Sequence, residues 1–236
     1  MDGFSVVIPT LNEERHLGPL LSDVAAQTRS PEEVLVVDAG SDDATTAVAR
    51  RFPFVTLLEA TPPVALGRNA GGRAASGDVV FFVDADARLP ARFFEGFLAE
   101  FGRRGLDVAC PLYRPHDSTP AVERFHDLFN LLTRAFEGAL PSGAGTCIAV
   151  RGEVFRASEG FDPTLKFDDI ELIRRLSEGR RFGIVEEPVY VSDRRYREGG
   201  FARTAAQYSL MALLFALGLY RWADLIDYEV GVHDRR

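Results

Sequence analysis

Apolar and polar positions along this 236-residue chain follow two alternating rhythms. Short, continuous apolar runs occur at Phe4-Ser5-Val6-Val7-Ile8, Val34-Leu35-Val36-Val37, Phe54 to Leu58 and Val79-Val80-Phe81-Phe82-Val83. Runs of this kind, rich in β-branched residues, read as strands buried on both faces. Between them the apolar spacing turns helical. Leu17, Leu20, Leu21 and Val24 share one face, and Ser41 or Asp42 is placed to cap a helix running towards Arg51. A further short helix is read from Gly67 to Ala75. Strands alternating with helices predict an α/β domain with a mostly parallel sheet covered on both faces.

The second half is less regular. Pro111 to Pro120 reads as a loop, Val122 to Phe136 as a helix, and Pro141-Ser142-Gly143-Ala144-Gly145 as a flexible turn. Thr146 to Val150 and Phe182 to Val185 are further strands, with a helix over Asp169 to Ser177 between them. No internal repeat or low-complexity tract interrupts the order. Thr204 to Tyr220 is almost wholly apolar, about 17 residues and at the lower limit for crossing a bilayer. Three readings stay open: a packed core helix, an interfacial helix flanked by Arg203, Arg221 and Trp222, or a true span.

Polar clusters follow three of the strands: Thr10-Leu11-Asn12-Glu13, Asp38-Ala39-Gly40-Ser41 and Asp84-Ala85-Asp86. Open α/β sheets bind ligands beyond the carboxyl ends of their strands, so the three clusters point to one shared site. Two carboxylates one residue apart, at Asp84 and Asp86, can share a hard divalent cation or divide a cation and a ribose between them. A solvated acidic turn is the alternative. Asp168-Asp169 opens an amphipathic helix. There the carboxylates either favour the helix dipole or supply a general base. Asp38 is either a turn residue or an acceptor for a nucleobase N–H. Arg68, Arg73, Arg194, Arg195 and Arg203 are candidates for diphosphate contact, with Arg68 and Arg195 lying nearest the clusters in sequence.

Composition narrows the function. The net charge of −8 argues against a general nucleic-acid binder. Lys166 is the only lysine among 27 basic residues, so the cationic groups are arginines suited to bidentate phosphate contact. Cys110 and Cys147 make no disulfide framework and fit a reducing, cytoplasmic setting. The start, Met1-Asp2-Gly3-Phe4-Ser5, shows no basic region followed by a long apolar stretch, so no leader is expected.

These residues together resemble a known family. Ser5-Val6-Val7-Ile8-Pro9-Thr10-Leu11-Asn12-Glu13-Glu14, Val36-Val37-Asp38-Ala39-Gly40-Ser41-Asp42-Asp43, Gly67-Arg68-Asn69-Ala70-Gly71 and Gly77 to Asp86 follow the order and spacing of family 2 glycosyltransferases of the GT-A fold. Gly160-Phe161-Asp162 with Asp168-Asp169-Ile170-Glu171-Leu172 looks like that family's acceptor-side motif. The likeness runs roughly from residue 4 to residue 195. Two departures stand out. The family often has Asp-Asp-Gly-Ser where this chain has Asp38-Ala39-Gly40-Ser41. It commonly has Glu-Asp where this chain has Asp168-Asp169.

The resemblance implies a Rossmann-like sheet with a C-terminal apolar helix, divided functionally into three stretches. Residues 1–110 would be the nucleotide-sugar half, 111–200 the acceptor half, and 201–236 a C-terminal helical segment. Pro9, Thr10, Asn12 and Glu13 would line the nucleotide pocket, and Asp38 would meet the base. Arg68 and Asn69 would close over the nucleotide, with Ala85 and Arg195 also on the donor side. Asp84 would face ribose and metal, and Asp86 would ligate Mn2+ or Mg2+. Asp169 would be the catalytic base, with Asp168 beside it. The implied reaction is inverting transfer of a sugar from a nucleoside diphosphate to an acceptor hydroxyl or a lipid-linked phosphate. With an interfacial helix over 204–222, the enzyme would sit at the cytoplasmic membrane surface.

Three other classes are weighed against this. A phosphatase uses Asp-x-Asp after its first strand, whereas here the motif follows the fourth. A nucleotidyltransferase begins with a Gly-rich cationic loop, which Pro9 to Glu13 is not. A non-catalytic nucleotide-sugar-binding domain would hold donor and never release nucleoside diphosphate.

Overall fold

The computed structural model describes residues 3–223 and Ile226. Residues 1–2, 224–225 and 227–236, which include the ends of the first and third predicted stretches, lie outside the described residues.

The chain opens with β1 (Phe4–Thr10), α1 (Leu17–Ala25), β2 (Glu33–Asp38), α2 (Thr45–Ala49), β3 (Val55–Glu59), α3 (Val64–Ala74) and β4 (Val79–Val83). It continues with α4 (Phe93–Arg104), β5 (Val108–His116), α5 (Pro120–Ala135), β6 (Cys147–Arg151), α6 (Gly152–Arg156) and α7 (Asp168–Ser177). The last described elements are β7 (Phe182–Ser192), α8 (Arg194–Gly199), α9 (Phe201–Ala216) and α10 (Tyr220–Ala223).

All seven strands form one sheet in the order β3-β2-β1-β4-β6-β5-β7. β1, β2, β3 and β4 pair in parallel, as do β5 and β7. β6 alone runs antiparallel to both its neighbours. The expected mostly parallel α/β sheet is therefore present, and the ends of β1, β2, β4, β5 and β7 open on one edge.

Period-two alternation splits the apolar residues between two cores. Phe4, Val6, Ile8, Val79, Phe81 and Val83 face α1 and α4. Val7, Val37, Val80 and Phe82 face the other way, against Phe155, Phe161 and the Ile170, Leu172 and Ile173 stripe of α7. Phe81 packs edge-on against Phe93, Phe94 and Phe97 of α4, at centroid separations of 5.0–6.4 Å.

Three expectations need correction. The segment 111–120 is not a loop, because β5 continues to His116 and pairs with β7 along its whole length. The boundary at 110 therefore falls inside a strand. Ser41 and Asp42 do not cap α2. Its first residue is Thr45, and the Ser41 hydroxyl is given to Asp38 instead. The segment 204–220 is neither wholly core nor a span. Met211 and Phe215 of α9 are buried while Leu210, Leu213 and Leu217 are exposed. Among the described residues, no helix is long and apolar enough to cross a membrane.

His126 ties α5 to β5 and α8. Its ring stacks on Tyr113 at 4.8 Å, and its Nε2 lies 3.1 Å from the Tyr196 hydroxyl. Burial pulls its pKa from the ordinary histidine value down to about 4. The unfolded chain therefore takes up a proton that the folded chain refuses. Stability is intact above the unfolded value and falls as pH drops through that window. Urea unfolding is expected to show a loss from this group of roughly 2 kcal/mol near about pH 4.5. His126→Phe should flatten that part of the stability–pH curve, and an unchanged curve would remove His126 from the joint.

Candidate active site

At the edge where the strands end, one cation joins the two carboxylate clusters. Arg68, on α3, is only 7% exposed. Its Nη2 donates to Asp84 Oδ1 at 2.8 Å, and its Nη1 donates to Asp168 Oδ1 at 3.0 Å. The guanidinium also lies over the Phe161 ring, 5.2 Å from its centroid. Burial alone would lower the pKa of Arg68, but Asp168 and Asp84 more than offset that, so it stays charged.

Asp168 is nearly inaccessible, and its Oδ2 is buried with no hydrogen-bond partner. Burial pushes its carboxyl pKa up, with Arg68 pulling against it. Asp169, one residue on, is half-buried. Its Oδ1 accepts from the Ile170 N–H at 2.8 Å, and burial raises its pKa too. Gly145 comes so close that an added Cβ would stand 1.6 Å from Asp169 Oδ2. Only glycine lets the 141–145 turn lie against that carboxylate.

Asp84 leaves β4 with its N–H bonded to Thr146 O, while Ala85 turns its methyl into the core. Asp86 looks instead onto a cleft of about 230 Å³, which Arg15, His16, Arg88, His116, Asp193 and Arg197 help to line. Among the described residues, no three His, Cys, Asp or Glu side chains form a metal cage. Mg2+ and Mn2+ commonly use one or two carboxylates together with substrate phosphates. Asp84 turns an oxygen to Arg68, and Asp86 is the member of the pair that lines the cleft where such a cation and diphosphate could sit.

Beyond the ends of β1 and β2, Asn12 adopts a left-handed φ of 59° and its Oδ1 accepts from the Asp42 N–H at 3.0 Å. The Asn12 N–H in turn donates to Ser41 Oγ at 2.9 Å. Glu13 is buried beside His16 at 3.0 Å, and its N–H donates to Thr45 Oγ1 at 2.7 Å. Pro9 and Thr10 close β1 in register with Val37 and Asp38. Pro9, Thr10, Asn12, Glu13 and Asp38 thus form one joined rim.

Several side chains have a different task from the one expected. Asp38 accepts from the Gly40 and Ser41 N–H groups, the Ser41 hydroxyl and the Thr10 hydroxyl. Those four bonds fill its lone-pair positions, so a base contact requires one of them to open. Asn69 does not reach over the pocket. Its amide clamps the backbone of Phe161, donating to the carbonyl at 2.8 Å and accepting from the N–H at 2.7 Å. Gly160, at φ +81°, leaves room for that clamp, since an added Cβ would lie 2.2 Å from Asn69 Oδ1. Arg68 likewise commits both of its Nη groups to Asp84 and Asp168. Arg195 stands at the start of α8, just past the end of β7, and its carbonyl accepts from the Thr204 hydroxyl. Of the residues sequence reasoning missed, Phe161 under Arg68 had a signal in the Gly160-Phe161-Asp162 motif. Gly145 and the cleft residues had none.

The family model for glycosyl transferase family 2 matches residues 5–157. The chain belongs to that family. Among its curated relatives, glycosyltransferase AglE of Haloferax volcanii is 30% identical over 138 residues, 54% of this chain and 45% of the relative. The undecaprenyl-phosphate 4-deoxy-4-formamido-L-arabinose transferase of Pseudomonas fluorescens is 32% identical over 159 residues, 60% of this chain and 44% of the relative. The chain spans about half the length of the curated relatives it matches first. A mannosyltransferase of Pyrobaculum calidifontis, solved with GDP-Man and Mn2+, superposes with a TM-score of 0.73 at 23% identity, covering 96% of this chain and 65% of that one. Glucosyl-3-phosphoglycerate synthase of Mycobacterium tuberculosis, solved with Mn2+, UDP and phosphoglyceric acid, gives 0.63 at 19% identity, covering 92% and 79%. These two structures share the fold of this chain.

Removing the shared cation leaves two carboxylates without their counter-charge. Arg68→Gln is expected to cost about 3–5 kcal/mol in denaturant unfolding. Adding Asp168→Asn to it should recover part of that loss. Strictly additive costs would show that the two groups are not coupled.

Proposed function

We propose that the site carries out inverting transfer of a sugar from a nucleoside diphosphate to an acceptor hydroxyl or lipid phosphate. The observation that carries this reading is the Arg68 bridge, which holds Asp84 at the end of β4 and Asp168 at the start of α7 within 3.0 Å of one guanidinium. Membership of glycosyl transferase family 2 supports it, and so do GDP-Man, UDP and Mn2+ in the structural neighbours.

The two carboxylates of α7 divide the work. Asp168 is buried and holds Arg68, so it positions. Asp169 keeps one oxygen off the helix backbone, beside Gly145, and takes the acceptor proton. Burial raises its pKa towards the working range of a general base. Pro9, Thr10, Asn12 and Glu13 shape the nucleotide rim, with Asp38 bracing it from behind. Arg195 reaches the diphosphate from the start of α8. Asp84 and Asp86 would hold Mn2+ or Mg2+, which when bound supplies positive charge to the leaving diphosphate. Inversion follows from a single displacement, with Asp169 on the acceptor face and the carboxylates of β4 on the donor face.

Asp169→Asn is expected to lower kcat by about 10²–10⁴ while donor affinity stays nearly constant. Steady-state release of nucleoside diphosphate, paired with donor titration, measures both. Turnover at the wild-type rate would remove Asp169 from the role. Asp86→Asn should instead abolish the dependence of nucleotide binding on Mn2+. Unaltered metal dependence would remove Asp86 from the metal.

A further inference from the structure

Of the two carboxylates that leave β4, Asp84 gives Oδ1 to Arg68, and Asp86 lines the cleft. The same cleft is lined by Asp193, which directly follows β7. Backbone pairing brings these two stretches together. Arg88 donates its N–H to the Tyr190 carbonyl at 2.9 Å and accepts from the Tyr190 N–H at 3.0 Å. That bridge is antiparallel. The residue two before Arg88 therefore comes abreast of the residue two after Tyr190. This sets Asp86 beside Ser192, the neighbour of Asp193.

Asp193 is 4% exposed, and its Oδ1 is buried without a hydrogen bond. Arg197 Nε stands 2.8 Å away, but its N–H is not aimed at that oxygen. The Arg197 side chain is 67% exposed, so it can turn out to solvent at little cost. The carboxylate has no task in the helix it precedes. It makes no side-chain cap on α8, and the first turn is closed by the Asp193 carbonyl, which accepts from the Tyr196 and Arg197 N–H groups. A buried carboxylate oxygen left without a hydrogen bond is costly. A water would bond that oxygen. A hard divalent cation would bond it, join it to Asp86 and keep positions open for phosphate oxygens.

We propose that Asp193 is a second protein ligand, with Asp86, of the divalent cation that accompanies the diphosphate, and that Arg197 is its counter-ion in the free chain. The proposal rests on the reading of the site as metal-assisted. The protein ligands then come from just beyond β4 and β7, and Asp84 stays with Arg68.

The test titrates the full chain with Mn2+ in the presence of UDP or GDP, reading free Mn2+ by electron paramagnetic resonance. Asp193→Asn is expected to weaken Mn2+ binding about tenfold or more. Asp117→Asn removes an exposed carboxylate from the same cleft and should change the affinity by less than about twofold. Arg197→Gln should tighten Mn2+ binding about threefold by removing the competing cation. That gain should vanish once Asp193→Asn is added. Equal losses in Asp193→Asn and Asp117→Asn would reduce Asp193 to general charge and overturn the proposal. So would an unchanged affinity in Arg197→Gln, which decides the matter if Asp193→Asn does not fold. Loss of Mn2+ binding in Asp86→Asn, with Asp193→Asn like the wild type, would overturn the role of Asp193 and leave the metal-assisted reading standing. No Mn2+ binding by the wild-type chain with either nucleotide would overturn both.

Discussion

A guanidinium taken out of water must find counter-charge, and Arg68 finds it on Asp84 and on Asp168, the latter 100 residues further along the chain. The cost of desolvating it is met only because both carboxylates are within 3.0 Å and the Phe161 ring covers its face. That constraint fixes how α3, the end of β4 and the start of α7 sit relative to one another. Asn69, the next residue on α3, adds a second tie by gripping the backbone of Phe161. The end of β4, the backbone at Phe161 and the start of α7 are thus held by consecutive residues of one helix.

The rim around this joint is built from short local devices. Asp38 closes its own turn, and Asn12 and Ser41 lace the loops after β1 and β2 together. The pocket edge is formed before any ligand arrives, which limits the ordering that binding must supply. On the other side, Gly145 admits the 141–145 turn against Asp169, so that carboxylate is approached by backbone and not by a bulky side chain.

Much of this was legible in the sequence because the apolar runs of β1, β2 and β4 each end in a polar cluster, and strand ends in a parallel sheet share one edge. The family resemblance added the order of the motifs. Other features were hidden for physical reasons. β5 carries Pro111 and Pro115, which read as loop. Beyond Ala109, however, the strand pairs with β7 alone, so proline does not break a ladder on both sides. α4 is built on Phe93, Phe94, Phe97 and Phe101, an aromatic stripe that sequence reading passed over. The carboxylates were found, but the tie of Asp84 and Asp168 to one cation was not, because Arg68 was read as a ligand contact. No spacing rule shows that a residue near a site will be consumed holding it together. The exposed half of α9 was equally hidden, since a uniformly apolar segment does not say which side is covered.

The central claim is that the joined carboxylates make one metal-assisted site for a nucleoside diphosphate. The most direct measurement is a thermal-shift titration of the chain with UDP and GDP, each with and without Mn2+. Native-state binding raises apparent stability by mass action. The account predicts a rise in melting temperature with at least one nucleotide, dependent on Mn2+ and lost in Asp86→Asn. No rise with either nucleotide, or a rise that ignores both the metal and Asp86, would contradict it.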